Sequence, residues 1–141
     1  MVVVRWNNGL VFAAEAPDGT RLTLDGQADD ALPAVGLSPM QALLAAIAAC
    51  GAMDVISILE KKRQKVTAYR VEIKGERPPA GKWPRPFQSI TIRHIVTGKN
   101  VDPAALARAV ELSDSKYCSV LATLRESPSV KSEWVVEPDA G

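Results

Sequence analysis

The chain has 141 residues, 47% of them hydrophobic and 23% charged, with a formal net charge of +1. That length supports one core and not two, and the composition excludes a disordered, collagenous or coiled-coil chain. Near-neutral charge excludes the basic footprint of a nucleic-acid binder, two cysteines exclude a disulfide scaffold, and one histidine cannot complete a four-ligand Cys/His zinc site within a single chain.

The opening MVVVRWNN lacks the basic start and the apolar run of about 7–15 residues that mark a signal peptide, so a cytoplasmic protein is expected. Val2 to Trp6 reads as a strand, and Asn7-Asn8-Gly9 supplies a turn that tolerates positive φ. Leu10 to Ala14 returns as a second strand. After the Pro17-Asp18-Gly19 turn, Leu22 and Leu24 alternate with polar residues as a half-buried third strand. A three-stranded meander is expected, followed by a connector from Gly26 to Leu37.

A helix start follows. Ser38 is a cap, Pro39 suits the first helical position, and Gln41 lies three residues on to close a capping box. About 25 residues of helix are predicted, ending at the cations Lys61, Lys62 and Arg63, which oppose the negative end of the helix dipole. No residue from Ala31 to Met53 is charged, yet Pro33, Gly36 and Pro39 interrupt that run and Asp54 follows it. No membrane span is expected. Residues 42–53 are apolar in every direction, and a helix apolar all round must be covered all round. A homodimer is therefore expected.

Alternation resumes with Tyr69, Val71 and Ile73, and again with Ile90, Ile92 and His94, separated by a proline-rich loop from Gly75 to Pro86. Asp102-Pro103 starts a second helix, Ser113-Asp114-Ser115 interrupts it, and a short helix is expected to carry Tyr117, Val120, Leu121 and Leu124. Pro128 ends that helix, and Val130 to Val136 is expected to close the chain as a strand around Trp134.

The candidates for chemistry are few. Cys50 lies mid-helix among alanines, and Cys118 lies at or just before a helix start. Buried free cysteine is ordinarily a small hydrophobe. Of the two, Cys118 is the better placed for a thiolate, near a helix N-terminus and Lys116. His94 on its apolar strand face reads as a structural histidine, with no triad beside it. The cationic cluster at 61–63 reads as a solvated helix end, and Trp83 as a loop anchor.

The stretch SPMQALLAAIAACGAMDVISILEKKRQ, together with KYCSV farther on, resembles the OsmC-like family, which includes the organic hydroperoxide resistance proteins. KYCSV is more similar to an uncharacterised subgroup than to the hydroperoxide enzymes proper. The order of elements resembles the family along the whole chain. The resemblance implies a single domain over residues 1–141 with an α+β OsmC-like fold: antiparallel sheets around a long buried central helix, in an intertwined homodimer. It implies thiol-dependent reduction of organic hydroperoxides. Cys50 would attack the peroxide and become a sulfenic acid, and Cys118 would condense with it to a disulfide. A dithiol reductant of lipoyl type would restore both, with no cofactor, metal, nucleic acid or membrane involved. The alternative is a non-catalytic module of the same fold that binds a small apolar ligand at the dimer interface.

Two positions depart from the pattern of the hydroperoxide enzymes. Met40 stands where they have a glutamate, ten residues before the first cysteine, and Asn7 falls where they have an arginine. Gln41 and Arg5 are the nearby residues that could stabilise a thiolate in their place, Arg5 from a partner chain.

Overall fold

The computed structural model describes residues 1–26 and 33–139. The connector expected between Gly26 and Leu37 lies partly outside the described residues, at 27–32. Strands β1 (Val3–Asn8), β2 (Val11–Glu15) and β3 (Arg21–Asp25) form the expected antiparallel meander in the order β1-β2-β3. Strand β1 runs two residues farther than the sequence suggests. A bulge between Trp6 and Asn8 carries it to Gly9, which turns at φ +50° and accepts a hydrogen bond from Trp6 Nε1 at 3.0 Å.

Helix α1 spans Pro39–Lys61 and starts as its sequence dictates. The Gln41 N–H donates to Ser38 Oγ at 3.2 Å, and the Ser38 N–H donates to Gln41 Oε1 at 3.0 Å. This reciprocal pair satisfies two of the donors that a helix start leaves open. The helix is long and apolar enough to cross a membrane by length and composition, yet it packs on its own chain. Its buried residues, Ile47, Gly51, Val55 and Leu59, recur every four positions. That spacing makes a single stripe, so Ala45, Ala46 and Ala49 remain exposed and Met53 is 69% exposed.

Strands β4 (Lys65–Glu76) and β5 (Ser89–Lys99) form a long antiparallel pair. Tyr69, Val71 and Ile73 on β4 and Ile90, Ile92 and His94 on β5 are half-buried, alternating with exposed polar residues as their period-two pattern requires. Asp102 caps α2 (Pro103–Leu112) by accepting the Ala104 N–H at 2.9 Å. Val55 and Leu59 of α1 meet Ala105 and Ala109 of α2, and Val66, Tyr69 and Val96 of the sheet flank this core. The interruption expected at Ser113 is a π-helical turn, Ser113–Tyr117, which takes Tyr117 out of the following helix, α3 (Ser119–Glu126).

The closing strand expected at Val130 to Val136 does not form. These residues have no regular structure, and Val130, Trp134, Val135 and Val136 are between 82% and 87% exposed. The alternation is suited to a strand, but a strand needs a ladder partner, and no strand among the described residues pairs with this segment.

Candidate functional site

Cys50 stands half-buried on α1, and Cys118 is 4% exposed at the cap position of α3. Their thiols are close enough to act on one another although 118 − 50 = 68 positions separate them in sequence. The π-turn makes this possible. It spends five residues between α2 and Cys118, and the Cys118 N–H donates back to the Ser113 carbonyl at 2.8 Å. Wider π-turns of this kind recur at functional sites. Both thiols are free.

Burial pushes the Cys118 thiol above the ordinary thiol range, and the neighbouring Cys50 pushes it the same way. The backbone amides of Leu121 and Val120 at the head of α3 pull downward, and burial outweighs them. Burial thus works against the thiolate that the helix N-terminus favours at Cys118. Its helix N-terminus is present, but it lies out of water. Lys116 does not help, because its ammonium sits 5.3 Å from the centroid of the Tyr117 ring.

Polar groups surround the pair. Ser113, fully buried, donates to Asp54 Oδ2 at 2.9 Å. The Tyr69 hydroxyl lies 2.7 Å from His94 Nδ1, so His94 has the partner expected of a structural histidine. Burial pushes Tyr69 up to about 12 and pushes His94 down, the latter opposed by the charge of Asp114. At Gly51, next to Cys50 in sequence, a Cβ would stand 3.6 Å from Ser113 Oγ and 3.8 Å from His94 Cε1, so both groups close on α1 at this glycine.

The two other residues named from sequence have partners elsewhere. The Gln41 amide is held by the Ser38 cap, and the Arg5 guanidinium lies 3.9 Å from Glu15 within the meander. Ser113, Asp54 and Tyr69 were not singled out as site residues from sequence. Only Asp54, at one-turn spacing from Cys50, carried a signal there. A cavity of about 590 Å³ runs between α1 and β4, lined by Leu44, Ala48, Ala52 and Val71 with Gln41 and Arg70 as polar points. Neither cysteine lines it.

A long helix bearing Cys50, a short helix headed by Cys118 and two antiparallel sheets define a protein of α+β class. Residues 27–133 match the family described as OsmC-like protein, and the chain belongs to that family. It is 40% identical to Protein YhfA of Escherichia coli strain K12 over 133 residues, covering 94% of this chain and 95% of that one. A solved hypothetical protein from Aquifex aeolicus VF5 is 35% identical, with a TM-score of 0.75 over 97% of this chain and 95% of its own. The fold is also that of an organic hydroperoxide resistance protein OsmC from Legionella pneumophila, at 15% identity and a TM-score of 0.62 over 89% of each chain.

Proposed function

We propose that the chain is a thiol-dependent reductase of organic hydroperoxides, and the observation that carries this reading is the contact between Cys50 and Cys118. The Cys50 thiolate attacks the terminal oxygen of ROOH. The O–O bond breaks, ROH leaves with a proton, and Cys50 becomes a sulfenic acid. The Cys118 thiol then attacks that sulfur, the S–S bond forms, and the hydroxyl departs with the Cys118 proton as water. A dithiol of lipoyl type returns two hydrogens to the disulfide and closes as a cyclic disulfide. The deeper burial of Cys118, beside a half-buried Cys50, supports its assignment as the second thiol rather than the first. Kinship with proteins of hydroperoxide resistance supports the substrate class. A reducing cytoplasm suits a pair that must rest as thiols.

The working form in this reading is a homodimer. Ala45, Ala46, Ala49 and Met53 leave one side of α1 open, and the apolar segment at 130–136 has no strand partner among the described residues. A second copy supplies both. Arg5 then acts on a thiolate only from that second copy, since its own chain gives it Glu15, and Gln41 acts only by leaving its cap.

Cumene hydroperoxide and dihydrolipoamide test the activity. We expect peroxide consumption that disappears in Cys50→Ser, and equal consumption in that variant would refute the reading. The cavity between α1 and β4 favours a second one, a non-catalytic module that holds a small apolar ligand. Thermal stabilisation by apolar ligands in a Cys50→Ser/Cys118→Ser protein, without peroxide turnover in the parent, would select it.

A further inference from the structure

Four residues close a ring around the two sulfurs. Cys50 and Asp54 lie one turn apart on α1, so both face the same neighbour. Asp54 Oδ2 accepts from Ser113 Oγ at 2.9 Å, the Ser113 carbonyl accepts from the Cys118 N–H at 2.8 Å, and Cys118 returns to Cys50. Ser113 is wholly shielded from water, and its hydroxyl approaches α1 beside Gly51. The only side-chain link in this ring other than the thiols themselves is the bond between Ser113 and Asp54. It ties the π-turn that carries Cys118 to the helix that carries Cys50.

We infer that Ser113 and Asp54 are positioning residues for closure of the Cys50–Cys118 disulfide, holding the second thiol within reach of the first. The inference rests on the dithiol reading above but not on the identity of the oxidant. Two thiols held in contact have a high effective concentration toward each other, because the freedom lost in bringing them together is already lost in the reduced fold. Without the Ser113 hydroxyl the π-turn is no longer fastened to α1, and Cys118 samples positions from which no bond to Cys50 can form.

Equilibration with reduced and oxidised glutathione measures this directly: the protein gives two hydrogens to glutathione disulfide, gains its own S–S bond, and releases two glutathione thiols. A hydrogen bond to a charged group is worth enough to shift such an equilibrium by about tenfold or more. Ser113→Ala and Asp54→Ala are expected to lower the effective concentration by about that factor. Asp54→Asn keeps an acceptor oxygen and is expected to stay within about threefold of the parent. With cumene hydroperoxide, Ser113→Ala should raise the ratio of sulfenic and sulfinic acid at Cys50 to disulfide, read by peptide mass.

An unchanged glutathione equilibrium in a folded Ser113→Ala protein would overturn the inference. If that variant does not fold, equal constants for Asp54→Ala and Asp54→Asn would overturn it instead. A parent protein that closes the disulfide with glutathione, loses it in Ser113→Ala, and yields no sulfenic acid with peroxide would uphold the ring while refuting the peroxide chemistry.

Discussion

Protonating His94 places a charge on an imidazole that burial holds neutral, with Asp114 as partial compensation. Its folded pKa lies below the ordinary 6.5, so its contribution to stability is complete above that pH and is lost as pH falls through the folded value. Tyr69 works from the other side. Its folded pKa of about 12 exceeds the ordinary 10.0, so stability is lost as pH rises between those values. Thermal midpoints taken across pH should therefore fall at both ends, with the acid arm reduced in His94→Gln and the alkaline arm reduced in Tyr69→Phe. At neutral pH, Tyr69→Phe also leaves His94 Nδ1 without its 2.7 Å partner, at a cost of about 1 kcal/mol. Cys118 offers a third titration. In Cys50→Ala its upward push loses the part due to the neighbouring sulfur and keeps the part due to burial. The pH profile of Cys118 alkylation should move down relative to the parent yet stay above that of an ordinary thiol.

Helix α1 was legible as an element because every local signal agreed: cap, proline, capping box and cationic end. Its glycine carries a prediction. Gly51 is buried mid-helix, and an added Cβ meets Ser113 and His94 at ordinary contact distance. Gly51→Ala should then gain helix propensity without a clash, stabilising the fold by about 0.5–1 kcal/mol in denaturant titration. Gly75 gives the contrast, since a Cβ there would collide with the Phe87 ring, and Gly75→Ala should destabilise. Asp102 is the side-chain cap of α2, and Asp102→Ala should cost about 1 kcal/mol. Strand β1 and the π-turn were read less well. The Trp6–Asn8 bulge is a register shift within a hairpin that alternation does not mark, and the five-residue turn at Ser113 forms where the chain meets the distant Asp54.

Across the whole molecule, α1 is half covered. A stripe with period four faces the sheet and α2, and the alanine side from Ala45 to Ala49 with Met53 faces outward. In a homodimer that side is buried. Light scattering of the parent should give twice 15.1 kDa, and Ala46→Asp, a charge on a residue its own chain leaves exposed, should give a folded 15.1 kDa species. A parent protein that remains 15.1 kDa at micromolar concentration would remove the homodimer. The failed strand at Val130 to Val136 belongs to the same scale. Its residues have the right pattern, yet no strand among the described residues pairs with it.

The amino-acid sequence by itself determined the meander, the capped central helix, the two alternating strands and the Asp102 start of α2, because each is specified by residues within one or two turns of chain. Its resemblance in the central helix also led to the family, and so to a two-cysteine pair. Only the tertiary structure decided what surrounds that pair. Burial of Cys118 outweighs its helix N-terminus, Lys116 turns to Tyr117, and Gln41 is spent on Ser38. Ser113 reaches Asp54 across 113 − 54 = 59 positions. Solvation and hydrogen bonding at that range depend on which surfaces meet in space, and local propensity carries no record of it.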